Sequence, residues 1–148
     1  MTTTPVEQTF GHSADPGSEF DRGTAVARRA EAPAVYDAVL DPGWRIGGGI
    51  NGGLLLALAA RALSQHLGDG TGHVDPISVS GYYLSASRPG PAEIHTGTVR
   101  AGRTLSTGTA SLFQPGEDGS PVERLRVLAS YGDLAAAPDQ RRRLAFHE

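Results

Sequence analysis

A chain of 148 residues with a net charge of −3 and an apolar fraction of 39% has the size of one domain with its own core, and its charge balance argues against nucleic acid as a partner. It contains no cysteine, which excludes disulfides, thiolate metal sites and cysteine nucleophiles together and fits a reducing compartment. No apolar run is long enough to span a bilayer, and no basic segment followed by an apolar one opens the chain, so the expectation is a cytoplasmic protein with no membrane partner.

Residues 1–20 are polar, rich in Thr, Ser, Pro and Gly and without periodicity, and read as a flexible arm. Thr24 to Arg28 and Val35 to Leu40 read as two short strands. Asp41-Pro42-Gly43 is then a turn signal, followed by Trp44, the only tryptophan, as either a core anchor or a wall of a ligand pocket. Next comes the stretch that organises the chain, Gly47-Gly48-Gly49-Ile50-Asn51-Gly52-Gly53, which opens directly into Leu54-Leu55-Leu56-Ala57-Leu58-Ala59-Ala60. Asn51 is a good N-cap, since its side-chain oxygen can take an orphan amide hydrogen of the first turn. Gly52 and Gly53 then leave first-turn amides without side chains, so a partly negative oxygen can approach the positive end of the helix. The helix is apolar all round until Arg61, which marks a buried element, and Gly68 is a natural stop.

Beyond a Gly-rich loop at residues 68–73, four alternating runs follow: Ile77 to Ser87, Ala92 to Arg100, Thr104 to Gln114 and Val122 to Tyr131. Short Gly-containing turns, among them Ala101-Gly102 and residues 115–119, join them, and the four read as a four-stranded antiparallel meander. In the last run Leu125, Val127, Ala129 and Tyr131 share one face, with Arg124, Arg126 and Ser130 on the other. Residues 135–148, including Arg141-Arg142-Arg143, read as a solvated tail. One buried helix with a segregated antiparallel sheet is an α+β arrangement, a curved sheet wrapped around the helix over residues 21–134.

Several strings in this order resemble the hotdog-fold thioesterases, in particular the group related to acyl-CoA thioesterase II. They are Asp41-Pro42-Gly43-Trp44, the glycine loop with Asn51-Gly52-Gly53, and Ile77-Ser78-Val79-Ser80-Gly81-Tyr82-Tyr83-Leu84. Further along come Arg88-Pro89-Gly90-Pro91-Ala92-Glu93, Arg100-Ala101-Gly102-Arg103-Thr104-Leu105-Ser106-Thr107 and Ser130-Tyr131-Gly132-Asp133-Leu134. Members of that group hold two hotdog units, and this chain looks like the first alone. The resemblance therefore implies a homodimer or higher oligomer with a shared sheet. The family's catalytic Asp, Thr and Gln belong to the second unit. By analogy between the halves their places fall near Ser78, near Thr104 to Thr107 and near Tyr131, with no carboxylate at the first.

Three functions follow as expectations. The first is hydrolysis of an acyl-CoA or acyl carrier protein thioester, its carbonyl polarised by amides at Asn51, Gly52 and Gly53, with Ser78, Ser80 or Thr107 positioning water. Trp44, Gly48, Gly49, Leu54, Tyr82 and Tyr83 would line the substrate site. The second is dehydratase, hydratase or cyclase chemistry on a carrier-bound chain, for which His95 is the candidate. The third is a non-catalytic acyl-binding or assembly module. No metal-ligand spacing, P-loop, dinucleotide fingerprint or Gly-x-Ser-x-Gly occurs, so no cofactor or metal is implied.

Overall fold

The computed structural model describes residues 17–136. The tail and almost all of the expected arm lie outside the described residues. The arm's last two residues, Glu19 and Phe20, open a short helix, α1 (Glu19–Gly23), where Ser18 caps the Asp21 amide. Of the first expected strand only β1 (Ala27–Arg28) forms; β2 (Val35–Leu40) forms with the expected bounds, and packing puts Tyr36, Ala38 and Leu40 inward.

The glycine stretch forms a small hairpin. β3 (Arg45–Ile46) and β4 (Gly49–Ile50) pair through Gly47 and Gly48, and Gly47 has φ +59° where a two-residue turn needs a left-handed residue. Helix α2 (Gly52–Gly68) follows directly. Its leucines and alanines, from Leu54 to Leu67, form the centre of the core.

Four long strands complete the sheet: β5 (Asp75–Tyr83), β6 (Gly90–Ala101), β7 (Leu105–Pro115) and β8 (Pro121–Gly132). The order across the sheet is β1-β2-β6-β7-β8-β5, antiparallel throughout, so only β6, β7 and β8 form a meander: the first of the four expected strands, β5, crosses to pair with β8, and β2 takes the place beside β6. Its concave face carries Ile94, Ala110, Leu112, Leu125, Val127 and Tyr131 against α2. This is the curved sheet around one helix that the sequence suggested. Where α2 comes nearest the sheet, β7 has Gly108, whose missing Cβ would lie 3.0 Å from Leu67 and 2.8 Å from the Gly97 carbonyl.

Two features of the sheet decide where the functional side chains point. One is that β5 is an edge strand among the described residues, paired only with β8, and most of it is exposed. The other is a β-bulge in β8. Leu112 pairs with Leu125 but Phe113 pairs with Glu123, so Arg124 is an extra residue in its strand. The alternation places Arg124 outward beside Arg126; the bulge turns it inward, and it is buried.

Candidate active site

The start of α2 is built as the sequence suggested in one respect and differently in another. The Asn51 side chain caps the helix, its Oδ1 accepting from the Gly53 amide at 2.8 Å and the Leu54 amide at 3.2 Å. The Gly53 amide is therefore not bare, because the cap uses it. Gly52 precedes the capped pair and is the first-turn amide that Asn51 does not take.

A cavity of about 390 Å³ opens at this point, lined by Gly49, Ile50, Gly52 and Leu55 on the helix side and by the segment from Tyr83 to Ser87 on the other. Tyr83 forms its gate. The Tyr83 hydroxyl donates to the Gly52 carbonyl at 2.7 Å, and its ring would lie 3.0 Å from a Cβ at Gly52. Ser87 is buried and its Oγ accepts from the Ile50 amide, which ties the segment after β5 to the glycine hairpin. Behind that segment, Gln114 accepts from the Arg88 amide and donates to the Arg88 carbonyl, while Arg124 donates to Ser85 Oγ.

The other expected site residues divide by position. Gly49, Gly52 and Tyr83 line the cavity. Gly48 sits at the hairpin tip with open space around it. Trp44 packs against Gly23 and edge-on to Phe20, ring centroids 6.4 Å apart, so it anchors α1 rather than walling the cavity. It also borders a separate pocket of about 380 Å³ with Glu19, Arg22, Gly23, Val39 and Asp41. Leu54 is a core residue.

Ser78, Ser80, Tyr82 and Thr107 face away from α2. In the β5–β8 register Val79, Gly81 and Tyr83 fall on the helix side, and a Cβ at Gly81 would meet Leu56. Ser78, Ser80 and Tyr82 therefore project from the outer face. Thr107 shares that face and bonds to Ser130 at 2.9 Å; Ser130 stands in register with both Thr107 and Ser78. Within one chain these hydroxyls meet one another across the sheet from the helix start, so they are not placed to position water there.

His95 and the titratable groups near the helix in sequence lie elsewhere as well. Asp41 Oδ1 accepts from the Gly43 amide and shapes a turn, whereas Asp75 accepts from the Leu134 amide and ties the start of β5 to the segment after β8. Asp37 joins Arg29 and Glu93 on the outer face, where the Arg29 guanidinium lowers the pKa of both acids. His95 lies beside Glu93 and Phe113 on that same face, not at the cavity. His73 is buried against Ser106 at 2.7 Å, near the far end of α2. His66 faces Thr98, and burial lowers its pKa below the ordinary 6.5. Among the described residues no group of His, Asp or Glu could hold a metal ion.

Residues 40–132, more than half of the chain, match the family described as acyl-CoA thioesterase N-terminal domain. The chain belongs to that family. No curated protein matches it. A Thermobifida fusca protein assigned as a thioesterase II is similar at 32% identity with a TM-score of 0.65, over 76% of this chain and 38% of that one. The chain thus spans well under half the length of that relative. A hexameric hotdog fold thioesterase of Campylobacter jejuni superposes with a TM-score of 0.59 at 17% identity, covering 66% of this chain and 80% of that one. A Bacillus halodurans protein, its structure determined with CoA, gives a TM-score of 0.61 at 12% identity, with 74% and 71% covered. At those lower identities the likeness is one of fold, and the fold is the hotdog. Among the described residues no helix is long and apolar enough to cross a membrane.

Proposed function

We propose that this acyl-CoA thioesterase family domain takes an acyl thioester at the start of α2, with the thioester carbonyl at the Gly52 amide, and hydrolyses it when a second hotdog unit completes the site. The observation that carries this reading is the cavity at the mouth of a buried helix, where one first-turn amide is left outside the Asn51 cap. Donors held in place before the reaction stabilise an oxyanion without reorganising, and a helix N-terminus supplies such donors. Acyl-CoA and acyl carrier protein thioesters are both substrates of the right chemistry.

The edge strand β5 supports the pairing with a second unit. Its free edge offers unpaired backbone groups, and Ile77, Val79, Tyr82 and Tyr83 are exposed along it. Pairing two β5 edges would make one continuous sheet and give a homodimer with its sites at the junction. Water activation then falls to groups the partner brings to the cavity, since a general base must lie within hydrogen-bond reach of the water it deprotonates.

One observation favours a second reading. Among the described residues no carboxylate or imidazole lines the cavity. A non-catalytic acyl-binding module needs none. Thiol release from a panel of acyl-CoA and acyl-N-acetylcysteamine thioesters decides between the two, with Gly52→Val alongside. A Cβ there lies 3.0 Å from the Tyr83 ring, closer than ordinary contact, so a valine pushes on the ring and obstructs the cavity, and its folding is checked alongside. Turnover in wild type that disappears in folded Gly52→Val supports hydrolysis at this site. Binding of the same thioesters without thiol release supports the module.

A further inference from the structure

Among the described residues two buried side-chain atoms have no hydrogen-bond partner, Tyr36 Oη and His66 Nδ1. Both belong to one corner of the molecule, where the C-terminal end of α2 meets the edge strands β1 and β2. Arg28 ties that corner together. It stands opposite Tyr36 in the β1–β2 pairing, with its guanidinium over the Tyr36 ring at 5.8 Å. Its Nη1 reaches the Asp69 carboxylate, just past the end of α2, at 3.3 Å. A buried polar atom without a partner forfeits its hydration, so a fold that keeps two of them in one corner is held there by other contacts.

Acid acts on the two atoms differently. Burial raises the pKa of the Tyr36 phenol, which therefore stays neutral as pH falls. The His66 imidazole can change charge. Its Nε2 bonds with Thr98 Oγ1 on β6 at 3.0 Å, and a hydroxyl can serve as donor or acceptor. With the ring proton on Nε2, the sealed Nδ1 only has to stay bare. An imidazolium carries a second N–H, and among the described residues nothing accepts from it at Nδ1. Burial is the larger influence on the ring and holds its pKa below the ordinary 6.5; Arg28 adds to this, and Asp69 opposes it. The inward residues of β2 are Tyr36, Ala38 and Leu40, and β6 brings the neutral Thr98, so neither strand adds a charge.

We infer that His66 is an acid-sensitive latch that holds the edge strands β1 and β2 to the end of α2. Uncharged, it lets the corner close around a bare Nδ1. When Nδ1 takes a proton from solvent, the new N–H draws on Asp69, the one carboxylate that bears on the ring, and the tie from Arg28 to Asp69 opens. The latch's contribution is complete above pH 6.5 and is lost as pH falls below 6.5 through the lower value of the closed corner, because the open corner takes up the proton first. The cavity beside Gly52, at the other end of α2, has no imidazole among its described lining residues and does not share this response.

Amide hydrogen exchange of the full chain, followed by mass spectrometry at about pH 7.5 and about pH 5.5 and corrected for the intrinsic effect of pH, tests this. In wild type, peptides from β1, β2 and the end of α2 are expected to open several-fold more often at the lower pH. The limit is about tenfold, set by an open-state imidazole that ionises at 6.5. Peptides from β7 are expected to show no change. His66→Gln can still bond to Thr98 but takes no proton, and its edge strands are expected to open equally at both pH values. Tyr36→Phe is expected to keep the acid response, since the phenol does not change charge. A wild type with no response overturns the inference. So does a response that persists in His66→Gln, one that vanishes in Tyr36→Phe, or one in which β7 opens together with the edge strands. If His66→Gln does not fold, His66→Asn takes its place. The proton NMR titration of the wild-type ring is a further check: a midpoint below 6.5 supports the latch, and one at or above 6.5 overturns it.

Discussion

The two ends of α2 are made from the same kind of helix and finished in opposite ways. At the C-terminal end Ser64 donates to the Val74 carbonyl, Thr71 closes on Leu67, Arg28 pairs with Asp69, and His73 is buried on Ser106, while Tyr36 Oη and His66 Nδ1 are buried without a partner among the described residues. Leu67 seats over Gly108 with no space left between helix and sheet. At the N-terminal end the wall is glycine and serine, a cavity remains, and the one buried guanidinium nearby has no counter-charge among the described residues. The contrast separates two tasks. One end closes the fold with packed side chains, and the other leaves a cavity beside the one first-turn amide that the cap does not take, where a ligand can enter, in line with the tendency of functional sites to break rules the rest of a sequence obeys.

The largest effect should come from breaking the closed end. Leu67→Ala removes a buried side chain from a rigid seat over Gly108, and a loss of about 2–5 kcal/mol is expected in denaturant unfolding. It is expected to lower stability far more than it changes thioester affinity in the protein that remains folded. The open end should cost less to alter. Asn51→Ala deletes the cap on the Gly53 and Leu54 amides, and about 0.5–2 kcal/mol of stability should go with it. Because those amides are freed, binding of a thioester analogue is expected to survive, unlike in Gly52→Val; titration of the two variants side by side checks this.

The smallest effect lies midway along the helix. Tyr131 is fully buried, and its hydroxyl donates to the Ala60 carbonyl at 2.7 Å. Tyr131→Phe should cost about 1 kcal/mol at neutral pH, the net worth of one buried hydrogen bond. Burial pushes the Tyr131 phenol up to about 12 from an ordinary 10.0. Its contribution is then complete below pH 10.0 and is lost as pH rises toward about 12, because the unfolded chain ionises there while the folded one stays protonated. Unfolding curves of Tyr131→Phe should lack this part of the alkaline decline, and a decline that persists unchanged would show that another group causes it.

Much of the fold is legible in the chain. Asn51 before two glycines and an all-apolar run marks the helix start, and the cap forms on the expected residue. The Gly-containing turns give the β6-β7-β8 meander, and the alternation from Leu125 to Tyr131 gives one inward face; β2 is apolar at every position but Asp37, so its inward face is not legible in the chain, nor is the pairing of β5 with β8. The site is legible only at its backbone. Ser78, Ser80 and Tyr82 share a face, as their spacing requires, yet nothing in their alternation says which side of the sheet that face meets. Gly53 reads as an open donor because the sequence does not show that one cap oxygen serves two amides.

By itself, the sequence determined the α+β order, the central buried helix, the glycine entry to it and the family resemblance. These are local signals of periodicity, capping and turn chemistry, each confined to a few neighbouring residues. Only the tertiary structure decided that Tyr83 covers Gly52, that Ser78, Ser80 and Thr107 lie across the sheet from the helix, and that Arg124 points inward. The reason is parity. Strand alternation fixes which residues share a face, but packing against α2 chooses the face, and one extra residue in β8 reverses it at Arg124.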